Sequence, residues 1–363
     1  MRRSIGVVAA VAALFGQMAT TTDRAAAEIV AIGADPVATG LGFPAGFTFA
    51  PDGRIFYGER FTGELRVRDP ASGDDTRFFT FTDLVTGGEQ GLLAVALHPN
   101  YPAVPHVFAY VTRLVAGVAR AQLVRLTDQG GGGGDLTVLL QFGSATRHIG
   151  GRLLFGPGNK LFLVVGERGN PADAQNLDNL FGKILRLNAD GGILPNNPFP
   201  GSPIYAYGIR NSFGFAFDPG TRRIWLTDNG PECNDELNRI VPARNHAWGP
   251  SATCATPPAP PRNTNQDGPR RVLPKRFYTP TIAPTGAAFC AGCRLGNRSE
   301  GALFFGAFNT GEIRRVTLTE NRLGVASQAI VYDHPSGVLG LEVGPDDRIY
   351  FSTDNAIYRL TRV

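Results

Sequence analysis

Histidine, cysteine and net charge are all scarce in this chain, and each shortage narrows what it does. In 363 residues there are 5 histidines and 4 cysteines, and 35 Lys and Arg stand against 31 Asp and Glu. Residues 1 to 27 contain Arg2, Arg3, Arg24 and Asp23, so the remainder carries 32 basic and 30 acidic residues. A balance that close to neutral gives no basis for a nucleic-acid or membrane-surface partner. Beyond the first residues no apolar run approaches the ~20 residues that span a bilayer, which excludes a membrane span in the mature protein. Helix-favouring runs are few as well. What is abundant is glycine, 46 residues, and proline, 27, the composition of many short strands joined by turns.

The N-terminus reads as a secretory signal over residues 1–27: Arg2-Arg3, an apolar stretch from Ile5 to Phe15, then small residues ending Ala25-Ala26-Ala27. Cleavage after Ala19 and an uncleaved N-terminal anchor are the other readings. The expected mature protein, residues 28–363, is one soluble domain exported to the periplasm or secreted. An even number of cysteines in an exported chain predicts two disulfides, and the spacing favours Cys233 with Cys254 and Cys290 with Cys293. A redox-active or zinc-binding Cys290-Ala291-Gly292-Cys293 is the sharper alternative. No helix-opening pattern follows it and no second ligand pair has metal spacing.

A phrase recurs along the chain: a glycine, alternating apolar residues, a Pro-centred turn, and a second alternating run often ending in an acid. It appears from Gly46 to Glu59, around Gly91 to Tyr110, from Gly151 to Glu167, from Gly214 to Asp228 and from Gly340 to Asp354. Pro51, Pro99, Pro157 and Pro219 are separated by 48, 58 and 62 residues, and Pro345 follows 126 later, leaving room for a degenerate copy whose strand is Gly301 to Gly306. Period-2 alternation broken by Pro-Asp-Gly is an antiparallel strand pair. Repetition at roughly 50 residues predicts an all-β, six-bladed propeller of four-stranded antiparallel sheets. Gly46, Gly91, Gly151, Gly214 and Gly340 are expected to face the crowded axis. A β-sandwich array is the competing architecture, but it leaves one phrase running the length of the chain unexplained. Gly130 to Gly134 reads as a hairpin tip, and Pro257 to Arg271 as an exposed loop overhanging one mouth.

Chemistry concentrates between Thr146 and Gly249. His148, in a Gly-rich turn before an inner strand, has the residue type for a general base near neutral pH. Its bland alternative is a histidine capping a turn. Glu167 ends the second strand of the same blade, within reach to orient the imidazole. Arg210 with Asn211 offers a planar cation for a carboxylate or oxyanion, or else an inter-blade ion pair. Gly230, Pro231, Asn234, Asp235 and Glu236 form a turn dense in hard oxygen ligands, suited to calcium or merely solvated.

Several motifs together resemble one family: Gly88-Glu89-Gln90-Gly91-Leu92-Leu93 with His98-Pro99, His148 with Gly151-Arg152-Leu153, Gly182 to Asn188, Tyr207-Gly208-Ile209-Arg210-Asn211, Gly230-Pro231 with Asp235-Glu236-Leu237-Asn238, and Trp248-Gly249. The chain is similar over nearly its whole mature length to the soluble quinoprotein glucose/sorbosone dehydrogenases. That resemblance implies pyrroloquinoline quinone (PQQ) and calcium at the mouth of the ring, and oxidation of an aldose at its anomeric hydroxyl to a lactone, with an electron acceptor left open. It makes His148 the base, with Glu167 and Arg210 beside it. It assigns Arg210, Asn211, Thr281 and Glu89 to the cofactor, and Gly230, Pro231 and Asp235 to the metal. Glu167 stands where the family usually has Asp, and Glu89 where the glucose enzyme has Gln. Asn309, Gly337 and Leu339 occupy positions where that enzyme has a lysine and two arginines for the quinone's carboxylates, with Arg314 or Arg315 the nearest replacements. Two alternatives stay open: a calcium-dependent lactonase-like propeller and a non-catalytic carbohydrate-binding propeller.

Overall fold

Alternating apolar and polar residues punctuated by tight turns give one small sheet after another, and no such sheet covers both its own faces. In the computed structural model, which describes residues 31–363, six four-stranded antiparallel sheets solve this by standing in a ring. The proposed leader, residues 1–27, lies outside the described residues. Five blades are contiguous in sequence: 44–80, 92–143, 150–207, 214–278 and 284–333. The sixth takes three strands from 341–362 and its outermost strand, Ile32–Thr39, from the other end of the chain. Pairing runs from Ile32 opposite Arg362 to Thr39 opposite Ala356, so backbone hydrogen bonds close the ring without a covalent link.

The first strand of each blade lies innermost, pressed on the first strands of its neighbours. A Cβ on Gly46 would fall 2.7 Å from Ala94 Cα, one on Gly214 1.9 Å from Thr285 O, and one on Gly286 2.2 Å from Leu341 N. Small residues at the axis are therefore a packing requirement, as the repeat implied. The degenerate fifth copy is placed too. Its second strand is Leu303–Ala307, overlapping the Gly301 to Gly306 segment the sequence offered, and its axial glycine is Gly286 on Pro284–Phe289, where alternation is weak.

Apolar side chains form six buried clusters among the described residues, one per interface between neighbouring blades. Phe56, Phe78 and Tyr101 sit between blades one and two, for instance, and Phe108, Leu153 and Leu163 between two and three. At about 1.5–3 kcal/mol per fully buried large side chain, these clusters and not the sheets alone hold the ring. Both expected disulfides are present, Cys233–Cys254 and Cys290–Cys293. The glycine run turns a hairpin at Gly130 and Gly131, whose N–H groups both donate to Asp128; Gly133 and Gly134 already belong to the next strand. The 257–271 segment is largely exposed toward both its ends, as expected, and departs from expectation in its middle. Asn263, Thr264 and Asn265 are buried, because their side chains satisfy Asn234 and the His246 carbonyl, so this loop is clamped to blade four and does not overhang freely.

His246 is fully buried and burial pushes its pKa down to about 3, the charges of Lys275 and Arg239 adding to the effect. A histidine that stays neutral when folded takes up a proton only on unfolding. Its stabilising contribution is thus complete above about pH 6.5 and is lost as pH falls toward 3. Urea unfolding of wild type and His246→Gln across pH 4–7 should show wild type losing up to ~1.4 kcal/mol more per pH unit. Parallel curves would show that His246 does not titrate this way.

Candidate active site

At one end of the ring the loops feeding the inner strands surround a cavity of ≈ 260 Å³, with walls from every blade: Arg60, Glu89, Gly151, Asn229, Phe308 and Leu339 contribute one each from the first to the sixth. The candidate residues converge beside it. His148 adopts a left-handed backbone, φ +54°, between the mouth and the inner strand Gly150–Gly156, a conformation that costs a non-glycine residue of order 1 kcal/mol or more. It is held there by Arg168 N, which donates to the His148 carbonyl at 3.0 Å. Gly166 must be a glycine, since a Cβ would lie 2.2 Å from that same oxygen.

Glu167 follows directly. Its Oε1 lies 2.5 Å from His148 Nδ1, and its own N–H donates to the Arg210 carbonyl at 2.9 Å, so the pair the sequence placed in one blade is also tied to the next. A carboxylate on Nδ1 selects the tautomer with hydrogen on that nitrogen and leaves Nε2 as the basic atom.

Glu89 is the junction between blades. It accepts from Ile149 N at 3.1 Å and from Asn211 Nδ2 at 3.2 Å, while Asn211 Oδ1 accepts from Gly150 N at 3.1 Å. Asn211 thereby fixes the strand side of the His148 turn, at Gly150 directly and at Ile149 through Glu89. Arg210 donates to the Asn229 carbonyl at 2.9 Å and lies over the Trp248 ring at 5.2 Å. Burial lowers its pKa, and the nearby carboxylates of Asp228, Glu167 and Glu89 oppose that shift. Asp228 accepts from the backbone N–H of both Arg210 and Asn211, at 2.9 and 2.7 Å; burial nevertheless raises its pKa to about 6. Three buried polar atoms in this group have no partner, Arg210 Nε, Glu167 Oε2 and Trp248 Nε1.

The Gly230 turn is built around Asp235. Its carboxylate accepts from Gly230 N, Ile282 N and Ala283 N at 2.8, 2.6 and 2.8 Å, which draws the turn against the segment containing Thr281. Among the described residues no cluster of three or more His, Cys, Asp or Glu is placed for a metal. A cation at this turn would rest on the Gly230 and Pro231 carbonyls, with buried Asp235 supplying negative charge behind them.

The far wall is apolar. Leu339 lines the cavity, and Gly337 is roofed by Phe308, since a Cβ there would sit 2.6 Å from the Phe308 ring. Asn309 lies next to it, its N–H on the Ile282 carbonyl. Arg314 pairs with Glu312 and lies over Tyr278, and neither it nor Arg315 lines the cavity, so they do not replace the missing cations. Arg60 does line it. Its Nε donates to the Gln90 carbonyl at 3.2 Å and its guanidinium sits over Phe43 and Phe61. Sequence reasoning passed Arg60 over, although repeat phase marked it: Glu59-Arg60 occupies the same place in the first copy as Glu167-Arg168 in the third.

Residues 41–362 match the family described as Glucose / Sorbosone dehydrogenase. The aldose sugar dehydrogenase YliI of Escherichia coli is 28% identical over 89% of this chain and 90% of its own length. Quinoprotein glucose dehydrogenase B of Acinetobacter calcoaceticus is 30% identical, over 58% of this chain and 51% of its length. Among solved structures, the PQQ-bound aldose sugar dehydrogenase of Streptomyces coelicolor superposes with a TM-score of 0.77 at 26% identity, covering 91% of this chain and 98% of that one.

Proposed function

Because this chain belongs to the glucose/sorbosone dehydrogenase family, we propose that it oxidises the anomeric hydroxyl of an aldose to the lactone, as a quinoprotein using PQQ and calcium, outside the cytoplasm. The observation that carries the reading is the His148–Glu167 pair, tied to the Arg210 carbonyl and joined at Ile149 to Glu89, which lines a cavity built by all six blades. The two disulfides support the location. No helix among the described residues is long and apolar enough to cross a membrane.

The residues fit the cofactor. PQQ is a flat, polyanionic heteroaromatic molecule, and the cavity lining sets the Arg60 guanidinium together with apolar Phe308 and Leu339, while Arg210 lies behind the lining residue Asn229, whose carbonyl it holds. Arg210 Nε, buried without a partner, is a donor in want of an acceptor. Arg210, Asn211, Thr281 and Glu89 would hold the quinone, and the Gly230 and Pro231 carbonyls with Asp235 would hold calcium. When bound, the quinone supplies the hydride acceptor and calcium the charge that polarises it. His148 takes the hydroxyl proton at Nε2. Glu167 stabilises the imidazolium that results, and Arg210 balances the negative charge of Glu89, Glu167 and Asp228 so that the proton is not drawn elsewhere.

Protein reconstituted with PQQ and calcium should reduce an artificial electron acceptor when given aldoses, and stripping calcium with a chelator should abolish that turnover. Silence across a sugar panel with no quinone retained would reject the assignment. Lactone hydrolysis that needs calcium but no quinone would make the protein a hydrolase. Sugar binding without turnover, indifferent to His148→Ala, would make it a binding module.

A further inference from the structure

The loop that joins the two halves of this site, residues 167–175, begins at Glu167, which orients His148, and ends in the short helix Pro171–Gln175. At that far end Gln175 Nε2 donates to the Trp248 carbonyl at 2.6 Å and to Asn245 Oδ1 at 3.0 Å, so it sets the indole on which Arg210 lies. The Ala174 carbonyl accepts from Gly208 N at 3.1 Å, two residues before Arg210.

One side chain grips this loop from behind. Lys183, on the strand Lys183–Leu187, is wholly buried, and its ammonium donates to the carbonyls of Asp173, at 2.8 Å, Ala174, at 3.2 Å, and Phe181. Those three acceptors use all three ammonium hydrogens. The neighbouring Asp173 carboxylate is occupied by Arg168 at 2.8 Å and Asn179 at 3.2 Å, and Arg168 is the residue whose N–H holds the His148 carbonyl. Burial pulls the Lys183 pKa down to about 7, with Asp173 acting against that shift. A lysine buried at such cost, away from the cavity and joined only to the carbonyls of this loop and of Phe181, calls for a reason.

We propose that Lys183 is a positioning residue for the whole site: by clamping the 173–174 carbonyls it sets Glu167 and His148 at one end of the loop and Trp248 and Arg210 at the other. Its functional half rests on the quinoprotein reading above; its structural half does not. The chain has 2 tryptophans, so in a Trp225→Phe background only Trp248 emits. Acrylamide quenching of the cofactor-free protein then reports the Arg210 end directly.

Lys183→Met should raise Trp248 quenching severalfold, weaken PQQ binding at least tenfold by titration, and shift the apparent pKa of kcat/KM through the His148 end. Gln175→Leu, which cuts the links to Trp248 and Asn245 and leaves the Lys183 contacts in place, should raise quenching and leave that pKa in place. A folded Lys183→Met protein with unchanged quenching overturns the proposal. If Lys183→Met does not fold, Gln175→Leu decides, and unchanged quenching there overturns it equally. Wild type that binds no quinone would sink the function proposed above, while the quenching result would still stand for or against Lys183.

Discussion

His148→Ala should lower kcat by roughly 10²–10⁴ while leaving the quinone dissociation constant within a few fold of wild type. The imidazole is buried with Nδ1 committed to Glu167, so its loss removes a proton acceptor and little else that binds. Glu167→Gln is the informative companion. Its amide can accept from Nδ1–H through oxygen, or present nitrogen and force the opposite tautomer, and in neither case does it bring the charge that favours imidazolium. An intermediate loss in kcat is therefore expected, with the acid limb of kcat/KM moved to lower pH. If His148→Ala instead retains turnover, the histidine is a turn cap, and its left-handed backbone serves the fold alone.

Arg152→Leu should destabilise the protein by about 3–5 kcal/mol in denaturant unfolding, the cost of leaving a buried partner without its counter-charge. Arg152 stands on the inner strand of blade three and reaches across the axis to blade six, where it donates to the Leu341 carbonyl at 2.9 Å and to Glu342 at 2.8 Å. Burial raises the Glu342 pKa even so, with Arg152 holding it down. The pair lies between the mouth cavity, which Gly151 and Leu339 line, and a second cavity of ≈ 250 Å³ at the opposite face, which Arg152, Leu154 and Glu342 line. It is a strut across the channel. Arg152→Leu combined with Glu342→Leu should recover much of the loss, because two apolar groups replace the pair without an orphaned charge. A single variant within 1 kcal/mol of wild type would show that the strut carries no load.

Much of this was legible in residue order. Period-2 alternation, the Pro-centred turns and five well-kept copies of one phrase determine sheets of this size repeated around an axis, because a small sheet with two apolar faces has no other economical neighbour than its own repeat. The glycines at each copy's start, the pairing of four cysteines and the placement of His148 and Glu167 in one blade follow from the same local rules. Tertiary structure decided whatever depends on residues far apart in sequence. Ile32–Thr39 carries no copy of the phrase, yet it completes the sixth blade, since only the closed ring brings the two chain ends side by side. Glu89 meets Asn211 and Ile149, Arg152 meets Glu342, and Arg60 enters the mouth for the same reason. A sequence lists which donors and acceptors exist. Which of them share a cavity, and which are used up by a backbone carbonyl or N–H, as Asp235 and Lys183 are, is fixed only when the ring closes.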